Sequence, residues 1–139
     1  MTAEEEAYHE LCAYTLTHGD PAFIHQHVVD AYMAQNANEQ TKPIGITFAL
    51  LGLYLHLERN FSGRQVQRAH MTLGKEKRPW PRFPLPANRG WMTAADVLVK
   101  PAGSERDRAI DAWCESVWTP YREGSRQTII DLLRQYGIT

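Results

Sequence analysis

Residues 43–59 read PIGITFALLGLYLHLER, and this stretch decides the fold. Ile44, Ile46, Phe48, Leu50, Leu51, Leu53, Tyr54, Leu55 and Leu57 fall on every side of a helical wheel. A helix that is apolar all round is buried in protein or in lipid. The unbroken apolar part falls short of the roughly 20 residues that a bilayer span needs. The stretch therefore reads as the central helix of a soluble bundle. Pro43 suits a first helical position, where its missing N–H is not needed. Gly45 and Gly52 each cost about 1 kcal/mol of helix propensity against Ala, and the return expected at both is close approach of a neighbouring helix. The helix closes on His56, Leu57, Glu58 and Arg59, so its last turn brings in the first polar groups.

On the N-terminal side, Thr2 with Glu5 reads as a helix start, and Tyr8, Leu11, Cys12 and Thr15 mark an inner face. Gly19 reads as its stop. A second helix is expected from Pro21 to Asn36, with Ile24, Val28, Ala31 and Tyr32 as its apolar stripe. His25 falls beside that stripe and His27 on the opposite, wet side. On the C-terminal side, Ser62 and Gln65 form a capping box for a helix that turns Val66, Ala69, His70 and Leu73 inward. Residues 75–92 carry Pro79, Pro81, Pro84 and Pro86, which exclude a helix interior and predict an extended strap. Trp80, Phe83, Leu85 and Trp91 are expected to tack that strap down. Thr93 and Asp96 cap a short helix, and Ser104 opens a long final helical region that Pro120 should kink or divide.

The chain has 139 residues, 43% of them hydrophobic and 22% charged, which fits one globular domain over 1–139. A net charge of -1 gives no general attraction to nucleic acid or to an anionic membrane. The acidic N-terminus, MTAEEEAYHE, lacks the layout of a signal peptide, and no stretch reads as transmembrane. Cys12 and Cys114 form no CxxC pair, so a reduced, cytoplasmic chain is the expectation.

The stretch YHELCAYTLTHGDPAFIHQHVVDAYMAQ, with TKPI, GLYLHLE, SGRQVQRAHM and WPRFPLP after it, resembles an uncharacterised bacterial family. That family carries a His-rich HxxxxDAYxxQ helix, matched here by His25, Asp30, Ala31, Tyr32 and Gln35. The resemblance covers most of the chain and implies a bacterial protein, with no established activity. Some relatives begin with a paired-cysteine, zinc-ribbon-like segment. These 139 residues have none, so that function does not carry over.

Four sets of residues could carry chemistry. His25, His56 and His70 come from three successive helices and point inward, with Tyr32, Glu58 and Arg68 near them. Bundle cores build ligand and metal sites this way, and imidazole with carboxylate suits a divalent transition metal. The blander reading makes each a hydrogen-bonded core or boundary residue, and it is favoured because none of the three belongs to an HxxxH or ExxH pair. His9 and Cys12 share a face and would need further zinc ligands such as His18 or His25, whereas Cys12 as a small buried residue needs none. Lys75, Lys77, Arg78, Arg82 and Arg89 interleave with Trp80, Phe83 and Trp91, a mixture that can bind single-stranded nucleic acid or simply strap the core. Arg64 and Arg68 are four apart and could clamp an anion or form a solvated face.

The sequence thus predicts an all-α, compact bundle of five to six helices with a proline-rich strap. The leading functional expectation is a small ligand or metal held by His25, His56 and His70, with Tyr32, Glu58 and Arg68 as further contacts and metal-assisted hydrolysis as the first chemistry to consider. The alternative is a non-catalytic interaction module, or a homo-oligomer, that works through the strap. No nucleic acid and no membrane are expected as partners.

Overall fold

The computed structural model describes residues 1–17, 20–75 and 77–139. Among them are six helices and no strand: α1 (Ala3–Leu16), α2 (His25–Gln35), α3 (Pro43–Arg59), α4 (Gly63–Gly74), α5 (Ala94–Leu98) and α6 (Ser104–Gln135). α3 lies at the centre, with Ile46, Thr47 and every residue from Ala49 to Leu55 buried. α2, α3 and α6 pack most extensively on one another, and α1 and α4 lean on this trio. Leu50, Leu51 and Leu55 are wholly buried, each worth about 2 kcal/mol of transfer free energy. Trp113 and Trp118 of α6 complete the centre. None of the described helices is long and apolar enough to cross a membrane.

Local signals set most helix ends. The Thr2 side chain accepts the Glu5 N–H. Full capping boxes stand at Ser62 with Gln65 and at Thr93 with Asp96. α3 ends on Asn60, which takes the left-handed conformation at φ 58°, and the Phe61 N–H returns to the Leu55 carbonyl.

Two boundaries differ from expectation. α2 starts at His25 and not at Pro21, because Asp20 folds residues 20–24 into a turn by accepting the N–H groups of Ala22 and Ile24. α6 runs unbroken for 32 residues through Pro120. Tertiary packing overrides the local penalty: Val117, Trp118 and Tyr121 on either side of the proline are almost fully buried. Gly19, expected as the stop of α1, and His18, considered as a zinc ligand, lie outside the described residues.

The strap crosses the outside of the bundle. Phe83 is buried, and Trp80 meets Phe48 edge-on at 5.4 Å. Leu85 is half-buried against the core. Trp91 departs from its expected role and stands 63% exposed, for the reason given below.

Candidate functional site

α2 carries the HxxxxDAYxxQ residues, and four of them tie it to its surroundings. His25 Nδ1 lies 3.0 Å from the Thr15 hydroxyl of α1. The Tyr32 ring stacks on Tyr8 of α1 at 3.8 Å. Asp30 turns to α3, where Gly52 lets its carboxyl press on the helix backbone: a Cβ at Gly52 would meet Asp30 Cγ at 2.6 Å. Oδ1 of Asp30 accepts from Gln26 at 3.0 Å, while its buried Oδ2 has no protein partner. Burial pushes this carboxyl well above the usual range, only partly offset by the Gln26 bond. Asp30 is thus a buried carboxyl whose ionised form is disfavoured at the α2–α3 contact.

Gln35 ends the helix with three bonds. Its Nε2 donates to the carbonyls of Arg89 at 2.8 Å and Met92 at 2.7 Å, and its Oε1 accepts from the Trp113 indole at 2.9 Å. From the other side, Ser116 Oγ of α6 accepts the N–H groups of Trp91 at 2.6 Å and Met92 at 2.9 Å. Pro120 has no N–H to give the Ser116 carbonyl four residues earlier. Gly90, at φ 99°, packs on that same carbonyl so closely that a Cβ would meet it at 2.6 Å. The strap corner 89–92 is thus clipped between α2 and α6, and the clip turns the Trp91 indole out to solvent.

A second polar junction lies where α2, α3 and α6 meet. The His27 ring lies flat on the His56 ring, with centroids 3.5 Å apart and planes 17° from parallel. His56 Nε2 is 2.8 Å from Asp111 Oδ1 of α6, and its Nδ1 is 3.2 Å from the Phe61 carbonyl. His27 is 4% exposed, and its Nδ1 has no protein partner. Burial first, and the nearby His56 second, hold its pKa down to about 3 against the opposing pull of Asp111 and Asp20. This corrects the expected wet side for His27. The face that carries His27, Asp30 and Ala34 is covered, since α2 is flanked on several sides. The signal present in the sequence is Ala34, a small residue two turns after His27, where a second helix can close in.

The structure separates the three histidines singled out from the sequence. His25 is held by Thr15, His70 Nε2 by the Phe48 carbonyl at 2.8 Å, and His56 by Asp111 and Phe61. Burial lowers the pKa of His25 and of His70. Among the described residues no group of three or more His, Cys, Asp or Glu is arranged to hold a metal. Glu58 turns away from them to α6 and accepts from the Trp118 indole at 2.8 Å and from Arg126 at 2.7 Å. Arg68 is exposed on α4, while Arg64 stacks over Phe23 at 4.8 Å. Cys12 and Cys114 are free thiols, and burial raises the pKa of both. Thr15, with Tyr14, Asp20, Ile24 and Asp107, lines a cleft of about 140 Å³ that none of the three histidines lines.

The family model of DUF5946, a family of unknown function, matches residues 5–122, and the chain belongs to that family. No curated protein and no solved structure matches it.

Proposed function

We propose that this member of a family of unknown function is a non-catalytic interaction module, and that its docking point is the clipped strap corner carrying Trp91. The observation that supports this is a 63% exposed indole on a backbone held by four hydrogen bonds from Gln35 and Ser116. A tryptophan fixed in this way loses little conformational freedom on binding, and tryptophan leads the residue types that dominate interfaces. His25, His56 and His70 are each held by a different partner, and both ring nitrogens of His56 are engaged, which weighs against one ligand gripped by all three.

The partner we commit to is a second copy of this chain. Arg89 stands two residues before Trp91, and Asp96 stands five after it. An exposed indole flanked in sequence by charges of both signs can complement itself across a two-fold axis. We further read the protein as bacterial and cytoplasmic, a reading that its two free thiols support.

Light scattering of the full chain over rising concentration tests the proposal. Wild type should dimerise, and the emission of Trp91 should shift to the blue as it does so. Trp91→Ala should weaken dimerisation by about thirtyfold or more while leaving thermal stability within about 0.5 kcal/mol. A wild type that stays monomeric, or a variant that dimerises as well as wild type, overturns the reading.

A further inference from the structure

We infer that His27, stacked on His56, is an acid-sensitive latch, and that its protonation frees α2 from α3 and so releases the strap clip held at the far end of α2. The inference concerns the fold alone and stands whether or not Trp91 docks a second chain.

The geometry makes the two rings unequal. Both nitrogens of His56 face acceptors, the Asp111 carboxylate and the Phe61 carbonyl. A neutral ring can donate to only one of them, whereas the doubly protonated ring serves both. A proton entering His27 meets a ring that is 4% exposed and whose Nδ1 faces no protein partner. It would place a cation flat against the His56 ring at 3.5 Å. Burial of an unpaired charge and repulsion by His56 then act together.

The groups around His27 are His56 on α3, Asp111 and Cys114 on α6, and Asp20 ahead of α2. Cys114 Sγ lies 3.6 Å from the His27 carbonyl, and burial keeps that thiol protonated. Asp111 and Asp20 favour a charged His27, yet burial outweighs them and leaves the ring neutral down to about pH 3. Asp111 is 60% exposed at its side chain, so solvent screens much of its field.

The latch reaches the strap through α2 itself. His27 sits in the first turn and Gln35 at the last residue of an 11-residue helix. Gln35 holds the Arg89 and Met92 carbonyls directly. An α2 that swings away from α3 draws those bonds apart. The preference for any state that solvates His27 grows about tenfold per pH unit below the ordinary imidazole value of ~6.5, and so reaches about a hundredfold near pH 4.5.

Hydrogen exchange of the full chain at about pH 7 and about pH 4.5, expressed as protection factors, tests this. In wild type, protection across α2 and at the Trp91 and Met92 amides should fall together by roughly fiftyfold or more, while α3 keeps its own. His27→Phe retains a stacked ring that cannot titrate, and should abolish most of that fall. Should His27→Phe not fold, the pH profile of α2 protection in wild type serves instead, and protection should fall about tenfold per pH unit from ~6.5 downward. The latch is overturned by an equal fall in His27→Phe, by α2 protection in wild type that persists in acid, or by a fall that begins only in the carboxyl range near ~4.

Discussion

Gly45 and Gly52 lie two turns apart on α3, and replacing each by Ala should move stability in opposite directions. At Gly52 the new Cβ meets Asp30 Cγ at 2.6 Å and Oδ1 at 3.2 Å, and comes closer still to Oδ2. The Asp30 carboxyl is 3% exposed and has no open space to retreat into. Forcing it aside strains the α2–α3 contact by about 1–3 kcal/mol and breaks the Gln26 bond, worth about 1 kcal/mol. Against this stands a gain of about 1 kcal/mol in helix propensity. The net expectation for Gly52→Ala is a loss of about 1–3 kcal/mol. At Gly45 the new Cβ finds only Thr41 Cγ2 at 3.8 Å and Met33 Cε at 3.9 Å, which are ordinary contacts. Gly45→Ala should therefore gain up to about 1 kcal/mol. Urea unfolding followed by far-ultraviolet circular dichroism at neutral pH gives these differences. The cause is isolated by Asp30→Ala, in which the carboxyl is gone and Gly52→Ala should turn from destabilising to stabilising. The coupling in that double-mutant cycle should be about 2–4 kcal/mol. A coupling under about 0.5 kcal/mol, or a Gly52→Ala protein as stable as wild type, would refute the reasoning that Asp30 rests on the α3 backbone.

Two carboxylates give pH tests of opposite sign. Burial raises the Asp30 pKa in the fold, so its contribution is complete below the ordinary carboxyl range near 3.9 and is lost as pH climbs toward the folded value. Asp30→Asn cannot ionise, so its stability relative to wild type should rise by up to about 1.4 kcal/mol per pH unit above ~4, as read from urea midpoints between about pH 4 and 7. At Glu58 burial would raise the pKa, but the hydrogen bonds from Arg126 and Trp118 and the charges of Arg126 and Arg122 outweigh it and lower the value. That contribution is present above ~4.3 and lost as pH falls through the folded value. Glu58→Gln should cost about 1 kcal/mol at neutral pH, because both arginines are largely solvated, and the difference from wild type should vanish in acid. A cost that persists unchanged near pH 3 would mean that packing, and not charge, is what Glu58 supplies.

The candidate site shows where a helical wheel stops informing. Gln35 was legible only as part of the HxxxxDAYxxQ pattern, with no role attached, because its three partners lie 54 or more residues away. Ser116 carried no signal at all, since a serine in a helix usually faces water. Here it is wholly buried, and its hydroxyl anchors the strap. His25, His56 and His70 do turn inward or half-inward, as their spacing predicted, yet each meets a different partner. A wheel gives direction about one axis and says nothing of how far apart two axes lie.

The sequence by itself determined the all-helical class, the burial of α3 on every side, the caps at Thr2, Ser62 and Thr93, and the extended strap between α4 and α5. Each rests on forces acting within a few residues: a side chain reaching an N–H three positions on, a proline ring fixing φ, an apolar run too dense to stay in water. The tertiary structure alone decided that Gly52 receives a carboxyl while Gly45 meets only ordinary contacts, that His27 is buried on His56, that α6 passes through Pro120, and that Trp91 is turned outward. Those outcomes depend on which helix crosses another at which residue. Crossing is settled by the packing of whole helix faces, a sum of many weak contacts that no single stretch of chain encodes.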